Sequence, residues 1–528
     1  MTETPMFHFF ADLIEHQADR LGDKPYILHD EVKIGFSEFF QNACRMANGL
    51  LNLGAEPGDG LAIFMENCPE YLCLYNGLPM SGMYTVPINV ALKGEGLRFI
   101  LEHSDVKFLV VDDFLYPKFT ELEAPVGRIS KVFVRRTGSE TIPDGCFDLQ
   151  DLMKASPQRP SHVMQFDDMT HLMYTSGTTG FPKGVVFRNR AGMVAYLQRA
   201  AARFFQPDDV IYTCLPFFHG SGLVFGAGYA MISGIPFGVD KRFSASKFLD
   251  RIRHYQATVY NSIGAMTPML LKQPEKPNDA DTPLRLVISA ASPGHLWERF
   301  EKRFGVKIWE GYTAVDSGGL FMGNYGTAPA GSVGKPKGIA EWKLIDDNGQ
   351  EVSPGEIGEF IHKVNHPKAV EYYKNPEASR KKVRGNWVYS GDLFHADQEG
   401  NLYFVDRKTD SMRRRGENIS SWEVENIVEK YPDVAECAAF GVKTDLAEDE
   451  VMIWVRPRDG ANLDLKNLMS FCAGNMAYFM VPRYVDIVEE ISRTGTLRIK
   501  KGDMKQRGVT ERTWDREREM PELELNKY

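Results

Sequence analysis

Short apolar runs alternate with amphipathic stretches along most of the chain. Runs bounded by glycine or polar residues predict buried strands at 60–65, 85–89, 107–112, 209–214, 258–260, 284–290 and 307–309. Between them apolar residues recur at helical spacing, as over 39–51, where Gly54 supplies a natural stop. Because strands that alternate with helices are typical of doubly wound sheets, we predict α/β subdomains here.

The pattern changes beyond residue 330. Turn signals at 346–349, 354–355 and 397–400 separate short strands, which predicts a small β-rich subdomain ending near 406. A final β–α segment from Trp422 to about Lys505 predicts a small α+β domain. The tail, 506–528, is charged and poor in apolar residues, and we expect it to be loosely packed.

Composition narrows the classes of function. The 528 residues carry a formal net charge of −9, so no general attraction to nucleic acid is expected. No apolar run approaches the roughly 18 residues that span a membrane, and the N-terminus lacks the pattern of a signal peptide. The seven cysteines are scattered without metal-type spacing, which indicates reduced thiols and a cytoplasmic protein.

The stretch from Tyr174 to Gly184 is the strongest chemical signal. It holds five hydroxyl residues, three glycines and Lys183 in eleven positions. Glycines let the backbone approach a ligand closely, and successive N–H groups, hydroxyls and an ammonium form a nest for an anion. A Walker loop needs Ser or Thr after its lysine, but Gly184 follows Lys183. The stretch therefore predicts a polyphosphate cradle of another type.

This stretch resembles the phosphate-binding signature of the adenylate-forming superfamily, which contains acyl-CoA synthetases, nonribosomal adenylation domains and firefly-type luciferases. These enzymes join a carboxylate to ATP as an acyl-adenylate, and most then pass the acyl group to a thiol. The resemblance implies that the phosphates of ATP are bound by Thr175, Ser176, Gly177, Thr178, Thr179, Gly180 and Lys183.

A second motif follows the last predicted strand of the α/β part. Tyr312 to Asp316 is similar to the family's Tyr-Gly-x-Thr-Glu, in which Tyr flanks adenine and Glu holds Mg²⁺. By resemblance, Glu310, Gly311, Tyr312 and Thr313 bind the nucleotide, and Asp316 with Thr175 holds the metal. Val315 stands where the family has a phosphate-binding Thr and cannot donate a hydrogen bond. A register beginning at Glu310 loses both key side chains and is rejected.

Two further motifs imply a ribose site and a hinge. Tyr389 to Asp392 matches the family's ribose-binding motif, with Asp392 accepting from the hydroxyls, and Arg407 is implied to contact ribose or phosphate. The segment 406–410 matches the junction of the two family domains. The resemblance thus implies an N-terminal adenylation domain over 1–406, a mobile C-terminal domain over 407–528, and a hinge at 407–410.

The basic run after the hinge is assigned to coenzyme A. Its loop borders the pantetheine tunnel in the family, and the resemblance implies contacts from Arg415, Gly416 and Glu417. A guanidinium cluster over 413–415 suits the phosphates of CoA, whereas a solvated basic face is the alternative. This version of the motif most resembles the branch that contains carnitine- and crotonobetaine-CoA ligases.

One departure lies near the C-terminus. Arg498 stands where the family has a lysine that neutralises the substrate carboxylate and α-phosphate, and the sequence leaves open whether arginine serves as well. The implied catalytic residues are Lys183, Thr175, Asp316, Arg498 and His219. The acyl pocket is assigned to His219, Gly264, Ala290, Ala291 and Gly318, whose small or apolar surroundings favour a hydrophobic, alicyclic or aromatic acid over carnitine.

The resulting hypothesis is an ATP-dependent acid–thiol ligase. Its expected ligands are a small-molecule carboxylic acid, ATP, Mg²⁺ and coenzyme A, and its products are acyl-CoA, AMP and pyrophosphate. Nucleic acid is not expected as a partner, and the sequence leaves open whether the chain acts alone or as a homodimer. Two alternatives stay open: an adenylate-forming enzyme with another acceptor, and an impaired homologue that only binds nucleotide or acyl groups.

Overall fold

The computed structural model describes residues 7–122, 125–138, 141–175, 182–190, 193–264, 266–290, 292, 294–319, 322–336, 339, 341–346, 348–366, 368–408, 411–414, 417–443, 448–491, 501–523 and 525. Its helices are α1 (Phe10–Leu21), α2 (Phe36–Asn52), α3 (Pro69–Gly77), α4 (Gly94–His103), α5 (Tyr116–Thr120), α6 (Met193–Ala201), α7 (Tyr229–Ser233), α8 (Phe248–Tyr255), α9 (Met266–Leu271), α10 (Trp297–Phe304), α11 (Pro376–Lys382), α12 (Ser421–Val428), α13 (Leu465–Asn475), α14 (Lys501–Arg507) and α15 (Arg516–Glu519).

The strands form five sheets within these residues. They are β1 (Pro25–His29), β2 (Val32–Gly35), β3 (Gly60–Phe64), β4 (Tyr84–Pro87), β5 (Val106–Asp112), β6 (Lys131–Arg135), β7 (Phe147–Asp148), β8 (Met169–Thr175), β9 (Lys183–Arg188), β10 (Ile211–Thr213), β11 (Phe237–Val239), β12 (Val259–Asn261), β13 (Leu286–Ser289), β14 (Lys307–Tyr312), β15 (Met322–Asn324), β16 (Trp342–Ile345), β17 (Gly358–Lys363), β18 (Val383–Arg384), β19 (Trp387–Ala396), β20 (Leu402–Arg407), β21 (Ser411–Arg414), β22 (Glu417–Ser420), β23 (Val434–Lys443), β24 (Asp449–Pro457), β25 (Tyr484–Ile487) and β26 (Trp514–Asp515).

Two largely parallel sheets build the large N-terminal domain. One has the strand order β7-β6-β5-β3-β4-β8-β9 and the other β15-β14-β13-β12-β10-β11-β1-β2. Every residue of β3 is buried, as expected for a parallel strand that is covered on both faces. Residues of both sheets share one core with α2, including Ile63, Phe237 and Phe39. The α/β prediction is confirmed, and each predicted strand has a counterpart.

The predicted β-rich subdomain is an antiparallel sheet built from β16 to β20. Phe360, Phe394 and Leu402 form the centre of its core. Its middle strand, β19, carries Asp392 opposite Arg407 of β20. The sheet therefore brings the ribose motif next to the start of the proposed hinge.

The C-terminal domain has a four-stranded sheet in the order β23-β24-β25-β26 and a β21–β22 hairpin. The expectation of a loosely packed tail is wrong for the described residues. Strand β26 pairs with β25, Arg516 and Met520 are buried, and the Arg516 Nε donates to the Pro482 carbonyl at 3.0 Å. The tail packs although it has few apolar residues, because strand pairing with β25 and the hydrogen bond to the Pro482 carbonyl hold its polar positions.

The C-terminal domain contacts α4 and the residues before it. Ala91 joins the core of the C-terminal domain, and the Lys93 ammonium donates to the carbonyl of Ala473. Lys430 and Glu95 form an ion pair at 2.6 Å. These contacts fix one arrangement of the two domains. Among the helices of the described residues, each is too short or too polar to cross a membrane.

Candidate functional site

A cleft of about 2060 Å³ lies at the carboxyl ends of the parallel strands, where open α/β sheets bind ligands. It also reaches the β-rich subdomain and the C-terminal domain. The predicted residues that line it are Thr175, Lys183, His219, Ala290, Glu310, Gly311, Tyr312, Thr313, Asp316, Gly318, Asp392 and Glu417.

Other predicted residues are placed differently. Gly264 is buried and donates its N–H to the Ala290 carbonyl at 2.7 Å. It therefore holds in place Ala290, which lines the cleft. The backbone of Arg407 continues β20. Outside the described residues lie Ser176, Gly177, Thr178, Thr179, Gly180, Ala291, Arg415, Gly416 and Arg498.

The β8–β9 hairpin positions Lys183. Thr175 ends β8 directly opposite Lys183, the first residue of β9, so the two residues bracket the predicted phosphate loop. The Lys183 ammonium lies 5.3 Å from the centre of the Tyr372 ring. Burial lowers the pKa of Lys183, and Asp316 opposes that effect. The lysine thus presents its charge in a partly dehydrated cleft, where an anion would be bound more strongly than in water.

Asp316 is held by two donors. Its Oδ2 accepts from the Tyr372 hydroxyl at 2.5 Å and lies 3.0 Å from the Lys382 ammonium. Burial, followed by the nearby carboxylate, raises the pKa of Tyr372, so the phenol stays a proton donor. The carboxylate therefore sits beside Lys183 and Lys382 at one end of the cleft.

Hydrogen bonds connect the predicted ribose motif to the start of the predicted hinge. The Tyr312 hydroxyl donates to Asp392 Oδ2 at 2.6 Å, and the Tyr312 ring packs edge-on against Phe394. Lys408 donates its N–H to the Gly391 carbonyl at 2.7 Å and pairs with Glu359 at 2.9 Å. A ligand that contacts Asp392 would therefore lie within a few residues of the domain junction.

Val315 and Glu310 line the cleft, but their side chains also make contacts within the protein. Val315 packs against the small core that contains Val185 and Tyr372, which accounts for an apolar residue at this position. The Glu310 carboxylate is buried and accepts the Ser292 N–H at 3.2 Å. The side chain of Tyr312, rather than that of Glu310, reaches Asp392.

The C-terminal domain enters the cleft through Glu417. Its Oε2 lies 2.8 Å from His219 Nε2 and accepts from Asn89 Nδ2 at 3.1 Å. Glu417 begins β22, directly after the loop that the sequence analysis assigned to coenzyme A. His219 follows β10, so the contact joins the predicted acyl side of the cleft to the C-terminal domain.

The basic run 413–415 is not a uniform cluster. The Arg414 side chain is 1% exposed, donates to the carbonyls of Phe479 and Val481, and lies 2.7 Å from Glu450. Arg414 is therefore part of the interior of the C-terminal domain. For this residue, both the CoA-facing and the solvated interpretations are wrong.

Lys382, Tyr372 and Glu359 line or support the cleft but carry no motif in the sequence that identifies them. Lys382 ends a run of three basic residues, which is usually a solvated face, and Arg380 and Lys381 precede it on α11. Tyr372 and Glu359 lie outside the matched motifs. Only the position of Lys382 immediately before the buried Val383 distinguished it from its neighbours.

Comparisons with known proteins identify the family of the chain. Residues 14–366 match the AMP-binding enzyme family, and residues 423–497 match the AMP-binding enzyme C-terminal domain. A crotonobetaine/carnitine–CoA ligase from Salmonella heidelberg (strain SL476) is 30% identical over 506 residues, covering 92% of this chain and 96% of the relative.

Solved structures share the fold. A double mutant of o-succinylbenzoate CoA synthetase from Bacillus subtilis, bound to the product analogue OSB-NCoA, is 24% identical with a TM-score of 0.78, covering 94% of this chain and 98% of that chain. The same synthetase in complex with AMP, also 24% identical, gives a TM-score of 0.65 and covers 93% and 98%. The chain therefore belongs to the AMP-binding enzymes of the adenylate-forming superfamily.

Proposed function

We propose that the chain is an AMP-forming acyl-CoA ligase acting on a mid-sized hydrophobic acid that carries no charged group besides its carboxylate. The observation that carries this proposal is the convergence of Lys183, Asp316, the Tyr312–Asp392 pair and the Glu417 contact in one cleft. These features match the two stages of ligation, which are adenylation of a carboxylate and transfer of the acyl group to a thiol.

In the adenylation stage, the chain positions two reactants and neutralises charge. Asp392 accepts from the ribose hydroxyls, and Lys183 pairs with the phosphates across the β8–β9 loop. A carboxylate oxygen attacks the α-phosphorus, and pyrophosphate leaves. Rate enhancement then comes from orientation and from fixed charges at a partly dehydrated site. Arg498 is assigned the neutralisation of the carboxylate and α-phosphate.

The residues fit a magnesium ion that is bound mainly through phosphate. Mg²⁺ in such sites takes one or two carboxylates together with phosphate oxygens and water. Asp316 supplies the carboxylate and Thr175 a hydroxyl, and both line the cleft. Within the described residues no group of three or more His, Cys, Asp or Glu side chains forms a cage. The ion, when bound, neutralises phosphate charge.

In the transfer stage, the C-terminal domain supplies part of the thiol path. Glu417, held by His219, begins the strand that follows residues 415–416, which are assigned to the pantetheine tunnel. The packing of the C-terminal domain on α4 through Lys430 and Glu95, together with the Glu417–His219 contact, is assigned to the transfer arrangement of the domains. A rotation at 407–410, between domains 1–406 and 407–528, converts it to the adenylation arrangement.

The acid class follows from the wall opposite the phosphates. Tyr196 and Leu197 of α6, with Phe225 and Tyr229, line the cleft. Asn261 holds the π-helical turn Ser221–Gly228 by donating to the Ser221 carbonyl at 2.9 Å. Neither Met193–Ala201 nor 221–229 contains Asp or Glu, so this wall offers no carboxylate to a quaternary ammonium. Aromatic or alicyclic acids suit it best.

The test is acid-dependent ATP–pyrophosphate exchange across aromatic, alicyclic and aliphatic acids, with carnitine included. Asp392→Asn is compared with Glu351→Gln, because Glu351 lies in the same subdomain but is 60% exposed. We expect exchange with an acid whose carboxylate is its only charged group, a strong loss in Asp392→Asn and wild-type exchange in Glu351→Gln. Exchange with carnitine alone would overturn the acid class. No exchange despite ATP binding would favour the impaired homologue.

The acceptor is tested separately. Enzyme loaded with acid and ATP is mixed with free CoA, and the products are analysed by mass. Acyl-CoA supports the proposed acceptor, whereas acyl-adenylate that persists with CoA would indicate another acceptor.

A further inference from the structure

Lys382 is a largely buried cation that lines the cleft beside Asp316. Its side chain is 10% exposed, although it ends the exposed helix α11. Lys381, its neighbour, is 73% exposed and pairs with Glu377 at 2.7 Å. The two adjacent lysines therefore differ in burial, and only the Lys382 side chain is largely withdrawn from water.

The partners of Lys382 fix its ammonium in place. It lies 3.0 Å from Asp316 Oδ2 and donates to the Ser390 carbonyl at 2.9 Å. An ammonium has three N–H donors. Two of them have acceptors among the described residues, which leaves a third donor for a ligand oxygen.

The local charges do not balance within the group formed by Lys183, Lys382 and Asp316. Tyr372 links the three side chains: its ring centre lies 5.3 Å from the Lys183 ammonium, and its hydroxyl donates to the Asp316 Oδ2 that Lys382 contacts. Two ammonium groups of the cleft thus lie near one carboxylate. Burial of a charge is costly unless it is paired, so this group is suited to an added polyanion.

We propose that Lys382 is a phosphate-binding residue that pairs with the pyrophosphate portion of ATP. The inference rests on the proposed ATP site. Asp316 and the Ser390 carbonyl hold the ammonium near Lys183. Ser390 belongs to the ribose motif, but the ribose end itself is marked by the Asp392 carboxylate, which Tyr312 holds. Lys382 therefore contacts the pyrophosphate that leaves, and together with Lys183 it offsets the negative charge of that group.

Calorimetric titration of inorganic pyrophosphate, ATP and AMP tests this assignment without an acid or CoA. The variants are Lys382→Met, Lys381→Met as the matched control, and Lys382→Arg, which keeps the charge. Because Lys382→Met loses a charge-assisted hydrogen bond, we expect its affinity for pyrophosphate to fall by about tenfold or more. Lys381→Met and Lys382→Arg should stay within about threefold of wild type, and AMP should bind all four proteins alike.

Two patterns of affinity would overturn the assignment. Equal pyrophosphate affinities in Lys382→Met and Lys381→Met would remove Lys382 from the site. AMP affinity that falls as much as pyrophosphate affinity would place the effect elsewhere in the cleft. If Lys382→Met does not fold, Lys382→Arg provides the test. Loss of pyrophosphate binding in folded Lys382→Arg, with ATP affinity unchanged, would count against the assignment. A wild-type protein that binds neither ATP nor pyrophosphate would refute the proposed function itself.

Discussion

His219 Nε2 lies 2.8 Å from Glu417 Oε2, across 198 residues of sequence and between the two domains. The contact is an ion pair when the imidazole is protonated. Glu417 is fixed further by Asn89, so its carboxylate is positioned from two sides. This relationship connects the proposed acyl side of the cleft to the C-terminal domain.

Removal of the Glu417 carboxylate should impair acyl transfer more than adenylation. A hydrogen bond to a charged group contributes about 1.5–3 kcal/mol, so Glu417→Ala should slow transfer by about tenfold or more. Pyrophosphate exchange should change by less than about threefold, because adenylation is assigned to the other arrangement. Single-turnover transfer of preformed adenylate to CoA measures the first rate. Equal losses in both stages would contradict the assignment.

The Lys430–Glu95 pair should help to hold the transfer arrangement. Both side chains are partly exposed, at 44% and 37%, so the pair contributes about 1 kcal/mol or less. Glu95→Lys places two cations together and should slow acyl transfer by about two- to fivefold. The exchanged double variant, Glu95→Lys with Lys430→Glu, should recover the rate. A double variant as slow as the single one would show that the pair does not act between the domains.

Glu423 should make the arrangement sensitive to pH. Its carboxyl lies against Gly96 of α4, and removal from water raises its pKa from 4.5 to about 7. The docked state holds this proton more tightly than an undocked one. Docking is therefore favoured at low pH and weakens as pH rises from about 5 through 7. Acyl transfer at saturating CoA should fall across this range, and Glu423→Gln should remove the fall. An unchanged profile in Glu423→Gln would contradict it.

Arg414 should be needed for stability of the C-terminal domain. Removal of one partner from a buried ion pair costs about 3–5 kcal/mol, because the other charge is left unpaired. Arg414→Met should therefore lower the thermal midpoint of unfolding, as followed by circular dichroism. Arg458→Met, on an exposed segment of the same domain, is the control. An unchanged midpoint with a raised KM for CoA would restore Arg414 to the CoA site.

The sequence predicted elements better than contacts. Continuous apolar runs identified strands such as β3 because burial on both faces leaves no polar position. The runs 413–415 and 380–382 did not show which of their residues are buried. An arginine or lysine in a sequence is the same residue whether its side chain is solvated or paired inside the protein. Arg414 is buried only because Glu450 and two distant carbonyls meet it. Lys382 likewise depends on Asp316, and both relationships arise from tertiary packing.

The central claim is that one active site adenylates an acid and then forms its CoA thioester. The most direct measurement is product mass after incubation of wild type and Lys183→Met with ATP, CoA and the acid found by exchange. We predict equimolar acyl-CoA, AMP and pyrophosphate from wild type, and a loss of about a hundredfold or more in Lys183→Met. Hydrolysis of ATP to ADP, or acyl-CoA formation that does not depend on Lys183, would contradict the account.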